Sequence, residues 1–180
     1  MSASGPPVLV LPGYGDSGPG HWQSLWEAED GRFRRVLQRD WLLPERAEWL
    51  ATLEREIAAC AAPPVLVAHS LGCALVAHRV AAAGGGGIRA ALLVAPADVE
   101  MIASVLDAVQ SFTPVPLVRL PFPSVVVAST DDPYLTPARA EAFARAWGSR
   151  LVALKGAGHI NTDSGFGAWD EGRRLLEELL

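Results

Sequence analysis

Short apolar runs that do not alternate recur along the chain at residues 8–11, 34–37, 65–68, 91–95, 125–129 and 151–154. Most are rich in Val and Leu, which is the pattern of parallel strands covered on both faces. Between them the apolar spacing lengthens to that of helices. Trp49, Leu50, Leu53, Ile57 and Cys60 fall on one stripe entered after Pro44. Asp98 can cap a helix whose stripe is Ile102, Val105, Leu106 and Val109. Thr136-Pro137 reads as a cap and a first-turn proline, with Ala140, Phe143 and Trp147 as the stripe and Gly148 as the stop. A last helix carries Phe166, Trp169, Leu176 and Leu179.

Strands alternating with helices predict an α/β fold, a three-layer sandwich around a mostly parallel six-stranded sheet. Functional residues then belong at the carboxyl ends of the strands, near the point where strand order reverses. The four glycines at 84–87 read as a flexible surface connection. The proline-rich stretch 110–124 is expected to border a binding cleft.

Composition narrows the class. The 180 residues suit one domain, with no internal repeat or linker to divide residues 1–180. Half the residues are hydrophobic and 19% are charged, which excludes a disordered chain. A net charge of −5 argues against a nucleic-acid partner. Cys60 and Cys73 form no CxxC, so neither a disulfide framework nor a thiolate metal site is expected. Met1-Ser2-Ala3-Ser4-Gly5-Pro6 has no basic region ahead of an apolar stretch, so no signal peptide is expected. Residues 57–78 carry no Asp, Glu, Lys or Arg, but Pro63-Pro64, His69, Ser70 and Gly72 interrupt them. They read as a helix end, a buried strand and a turn rather than a membrane span. A cytoplasmic protein without membrane contact is the expectation.

Three segments are candidates for chemistry. Gly13-Tyr14-Gly15-Asp16-Ser17-Gly18 is formally GxGxxG after a strand, and Asp40 follows at a dinucleotide-like spacing. However, Pro19-Gly20 interrupts the helix that must carry the pyrophosphate, and His21 stands where a phosphate-binding lysine would be. The same segment contains Gly15-Asp16-Ser17-Gly18, which echoes nucleophile motifs of trypsin-like and GDSL-type enzymes. Ser17 has no chain upstream for the first family's His and Asp. Gly156, three before His159, breaks the Asp-x-x-His of the second.

The third segment is Ala68-His69-Ser70-Leu71-Gly72, between a strand and a helix over Leu71–Ala83. A nucleophile elbow puts serine on a strained strand-to-helix turn and needs small residues two before and two after it. A serine also needs a base, and the base an orienting carboxylate. Ser129-Thr130-Asp131-Asp132-Pro133 follows the fifth strand and Gly156-Ala157-Gly158-His159 follows the sixth, giving the order Ser…Asp…His. Asp132 is favoured over Asp131 because Pro133 holds the residue before it extended. His69 is expected to face away from the site. His21 and His78 complete the four histidines, and no pair has metal-ligand spacing, so no metal is expected.

Four blocks together carry a resemblance over nearly the whole chain: residues 11–22, Ala68-His69-Ser70-Leu71-Gly72-Cys73, Ser129-Thr130-Asp131-Asp132-Pro133-Tyr134 and Gly158-His159-Ile160-Asn161. They resemble the small α/β-hydrolases of the retinoblastoma-binding protein 9 type. The resemblance implies a compact α/β-hydrolase fold without a large cap domain, using Ser70, Asp132 and His159. Ala68 departs from the commonest elbow, which has glycine there.

The chemistry then expected is hydrolysis of a small-molecule acyl ester, amide or thioester through an acyl-enzyme, with no cofactor. Backbone N–H groups of Leu71 and Tyr14 would form the oxyanion hole. Tyr14, Phe112, Leu117 and Tyr134 are candidates for an acyl pocket, with ordinary loop packing as the alternative. The rival class is a non-catalytic protein-interaction module on a hydrolase fold, and a nucleotide-binding enzyme stands behind it.

Overall fold

The computed structural model describes residues 5–180. Among them six strands form one parallel sheet: Val8–Leu11 (β1), Phe33–Arg35 (β2), Val65–His69 (β3), Ala90–Val94 (β4), Ser124–Ser129 (β5) and Arg150–Leu154 (β6). The spatial order is β2-β1-β3-β4-β5-β6. After β1 the chain steps outward to β2, then returns across β1 to β3 and continues the other way. That reversal puts the loop after β1 beside the turn after β3, where an open parallel sheet has its ligand crevice.

The helices are Trp22–Glu29 (α1), Arg46–Ala58 (α2), Leu71–Ala83 (α3), Val99–Ile102 (α4), Pro137–Trp147 (α5) and Asp170–Glu177 (α6). Alternate strand residues face opposite ways and build two separate cores. Leu9, Leu11, Leu66, Ala68, Leu93 and Val126 pack with Trp49 and Leu53 of α2, with α3, and with Phe143 and Trp147 of α5. Val8, Val10, Val65, Val67, Leu92 and Val127 pack with Trp22 and Trp26 of α1 and Leu176 of α6. The runs do not alternate because both faces are buried. The result is the three-layer α/β-hydrolase fold, with no cap domain among the described residues. No helix among them is long and apolar enough to cross a membrane.

Several boundaries differ from the sequence expectation. Strand β2 is Phe33–Arg35 rather than 34–37, because Leu37 lies beyond the pairing with β1 and is exposed. Helix α4 ends at Ile102 and leaves Val105 86% exposed. The Ser104 hydroxyl donates to the Met101 carbonyl, and the chain resumes as a 3-10 turn over Asp107–Phe112. Helix α6 starts only at Asp170. Trp169 caps it at φ 46°, and Phe166 lies before it, its N–H donating to the Asn161 carbonyl.

The glycines at 84–87 are not a free connection, since Arg79 binds the Gly84 and Gly86 carbonyls. Part of the proline-rich stretch, around Pro116 and Leu120, packs against the C-terminal end of α5. Leu120 N–H donates to the Trp147 carbonyl, and the Trp147 indole N–H donates to the Pro116 carbonyl.

Candidate active site

Ser70 stands between β3 and α3 at φ 55° and ψ −120°, a backbone conformation that side chains rarely adopt. The turn persists because its surroundings demand it. A Cβ on Gly72 would lie 2.3 Å from the Leu11 carbonyl oxygen, so only glycine lets α3 start this close to β1. A Cβ on Gly13 would meet Ser70 Cβ at 2.8 Å, which brings the loop after β1 against the serine. Ala68 is fully buried in the core on the α3 side, where its methyl group is accommodated.

His159 follows β6. Its Nε2 is 2.9 Å from Ser70 Oγ, and its Nδ1 is 3.0 and 2.9 Å from the two oxygens of Asp132. The Asp132 carboxylate is fully buried and also accepts the Tyr134 N–H at 2.9 Å. Asp131 faces elsewhere: it accepts the Ser129 hydroxyl at 2.6 Å and the Gly158 N–H at 2.8 Å. Those bonds, led by the Ser129 hydroxyl, hold its carboxyl below the usual range. Asp131 thus braces the loop that carries the histidine. From the other side the Trp22 indole N–H donates to the Ile160 carbonyl at 2.9 Å.

Leu71 occupies the first position of α3, where a backbone N–H has no partner within the helix. A Cβ on Gly13 would lie 3.2 Å from this nitrogen, so the Tyr14 segment runs beside it. The Tyr14 N–H makes no bond among the described residues, whereas the next two N–H groups do: Gly15 to the Trp41 carbonyl and Asp16 to the Gly13 carbonyl.

A cavity of about 320 Å³ opens at Ser70. Ala97, Val99, Ile102, Leu106 and Val109 form an apolar side, and Tyr14, Asp16, His21, His69 and Asn161 a more polar one. Tyr134 lines it and packs on His159 with ring centroids 4.8 Å apart. Phe112 and Leu117 do not line it. Phe112 is fully buried, its ring against Trp49 and His78, and the His78 Nε2–H donates to its carbonyl. Leu117 is exposed, between Pro116 and Leu120, which bond to Trp147 at the end of α5. The positions that the sequence reading missed are Ile102, Leu106 and Val109. They carried a signal, the apolar stripe after the fourth strand, but read as core of a longer helix.

His69 does not point away as expected. It lines the cavity, and its Nε2–H donates to the His159 carbonyl at 2.9 Å. Burial, followed by the neighbouring His159 and His21, pushes its pKa well below the usual histidine value. Burial likewise lowers His21, to about 4, with Arg35 and His159 adding to the effect. Both rings are therefore neutral at pH 7.

The competing motifs dissolve into structure. Ser17 is buried and donates to Gln23 Oε1 at 2.7 Å, anchoring α1. Asp16 pairs with Arg35 at 2.8 Å, and Asp40 accepts the Leu42 and Leu43 N–H groups. Helix α1 begins at Trp22, beyond the glycines.

A family model described as serine hydrolase matches residues 8–178. Among solved structures, a YdeN-like hydrolase from Pectobacterium atrosepticum is 35% identical, over 96% of this chain and 89% of that one, with a TM-score of 0.84. The ydeN gene product of Bacillus subtilis is 20% identical, over 97% and 98%, with a TM-score of 0.75. The esterase RhEst1 from Rhodococcus is 16% identical over 98% and 92%, at 0.68. The last two share the fold. No curated protein sequence matches.

Proposed function

The chain belongs to the serine hydrolase family, and we propose that it hydrolyses small, uncharged acyl esters through Ser70, His159 and Asp132. One observation carries this reading: a buried carboxylate, an imidazole and a serine hydroxyl in a continuous chain of contacts at 2.9 Å. A serine hydroxyl is a weak nucleophile unless an oriented base takes its proton.

In the acylation step His159 Nε2 accepts the Ser70 proton as Oγ bonds to the acyl carbon. The carbonyl electron pair moves onto oxygen, where the Leu71 and Tyr14 N–H groups stabilise it. When the pair returns, the bond to the leaving alcohol breaks, and His159 gives its proton to that oxygen. Water then attacks the acyl-enzyme, losing a proton to His159, and Ser70 recovers its hydroxyl as the acid departs. Asp132 holds Nδ1 protonated throughout, which keeps Nε2 free to accept, and it stabilises the imidazolium. The apolar side formed by Val99, Ile102, Leu106 and Val109 suits the acyl chain, because burying alkyl groups against it is favourable and burying a charge there is not.

The experiment is turnover of p-nitrophenyl esters of graded chain length by the purified protein. Hydrolysis that is lost in Ser70→Ala supports the proposal. Equal hydrolysis by both proteins removes Ser70 from the chemistry.

A further inference from the structure

The loop after β1 reaches the serine through one peptide group. Gly13, Tyr14, Gly15 and Asp16 form a tight turn in which the Asp16 N–H donates to the Gly13 carbonyl at 3.2 Å. Gly15, the third residue, stands at φ 79°, as a type II turn requires. The Gly13 carbonyl and the Tyr14 N–H belong to the same planar trans peptide, so they point in opposite directions. Holding the carbonyl therefore aims the N–H, and aims it out of the turn. A Cβ on Gly13 would lie 2.8 Å from Ser70 Cβ and 3.2 Å from the Leu71 nitrogen, which puts this peptide at the serine. The direction of the Tyr14 N–H is thus decided at Asp16.

Asp16 itself has to be held, because it stands at φ 65°, a conformation that side chains rarely adopt. Arg35, the last residue of β2, holds it. One terminal nitrogen donates to Asp16 Oδ1 at 2.8 Å and to the Ser17 carbonyl at 3.0 Å. The other donates to Ser24 Oγ at 2.7 Å and to Glu27, and Nε donates to Glu27 at 3.0 Å. All five N–H groups of the guanidinium are thereby used, and the side chain is only 16% exposed. Ser24 and Glu27 belong to α1, which packs on the sheet through Trp22 and Trp26. The turn is therefore tied to a packed helix. Tyr14 and Asp16 line the cavity, whereas Arg35 does not.

We propose that Arg35 is a positioning residue for the oxyanion: through Asp16 it fixes the Gly13–Tyr14 peptide so that the Tyr14 N–H meets the negative oxygen of the tetrahedral intermediate. The inference rests on the acyl-hydrolase reading above. A donor fixed in advance costs no reorganisation when charge develops, so its loosening is felt in the transition state more than in the bound ester.

The test is steady-state hydrolysis of p-nitrophenyl butanoate, with active sites counted by fluorophosphonate labelling of Ser70 run to completion. Arg35→Met keeps the aliphatic stem. Asp16→Gly removes the carboxylate and accepts the positive φ without strain, and it carries the same test if the Arg35 variant does not fold. Each should lower kcat per labelled site by roughly 10–100-fold with KM little changed, a part of the loss that deletes a whole oxyanion donor. Inhibition by a trifluoromethyl ketone should weaken by the same factor, since its carbonyl oxygen becomes an oxyanion as Ser70 adds and His159 takes the proton. Asp16→Asn, which keeps an acceptor for Arg35, should lose less than Asp16→Gly. A role in folding alone would reduce the number of labelled sites and leave kcat per site unchanged. That result overturns the proposal, as does a loss carried by KM. If the wild type labels but leaves this ester intact, protection of Ser70 from labelling by the ketone decides in the same way. Folded wild-type protein with neither labelling nor turnover overturns the hydrolase reading, and the proposal with it.

Discussion

Asp132 meets His159 through both carboxylate oxygens, at 3.0 and 2.9 Å from Nδ1, while its neighbour Asp131 turns to Ser129 and Gly158. Two adjacent aspartates thus divide the work: one orients the ring and the other braces the loop that carries it.

Asp132→Asn should keep the fold but lower kcat by roughly 10³–10⁴-fold, because an amide facing Nδ1 favours the wrong tautomer. Asp131→Asn retains an oxygen for Ser129 and Gly158 and should cost far less. Steady-state kinetics on the purified pair decides, and a reversed order would mean that the orienting carboxylate is Asp131.

With the acyl chain on the apolar side of the cavity, as proposed, that side sets acyl length. Leu106→Trp fills part of the cavity that opens at Ser70, so the preferred p-nitrophenyl ester should become shorter, with acetate hydrolysis little changed. Chain-length profiles measure this. Profiles that superimpose would place the acyl chain elsewhere in the cavity.

Acid should destabilise the protein through its neutral histidines. His21 has a folded pKa of about 4 against an ordinary value of 6.5. Between these values the unfolded chain binds a proton that the folded chain does not, so stability rises with pH. The contribution is present above about pH 6.5 and is lost as pH falls toward 4, amounting to about 2 kcal/mol between pH 7 and pH 5. His69 is shifted the same way. Urea unfolding at the two pH values should show the loss, and His21→Asn should lose less. An equal loss in both proteins would assign the acid sensitivity elsewhere.

Much of the architecture is legible in the chain because both faces of this sheet are covered. Unalternating runs such as Val65-Leu66-Val67 leave little doubt about strands, and the strand ends then select Ser70, Asp131-Asp132 and His159 from the sequence. What the sequence hides is local. Nothing in the spacing of Ile102, Leu106 and Val109 says that the helix ends at Ile102, where the Ser104 N–H and hydroxyl both turn to the Met101 carbonyl. Phe112 looks like pocket lining in a proline-rich loop, yet it is core, buried by Trp49 of α2 from across the chain. His69 neighbours the serine in the sequence, and from that position it is expected to face away. The His159 loop folds over that face of the sheet and brings it back.

The most direct test of the account is the covalent reaction of Ser70 with a fluorophosphonate probe, mapped by peptide mass spectrometry. An activated serine with an oxyanion hole attacks the phosphorus as His159 takes its proton, the P–F bond breaks and fluoride leaves, and the adduct's oxygen is held as the acyl intermediate's would be. The account expects one label, on Ser70, lost in Ser70→Ala and in His159→Ala and retained in Ser17→Ala. A label on Ser17, or no label on folded wild-type protein, would contradict it.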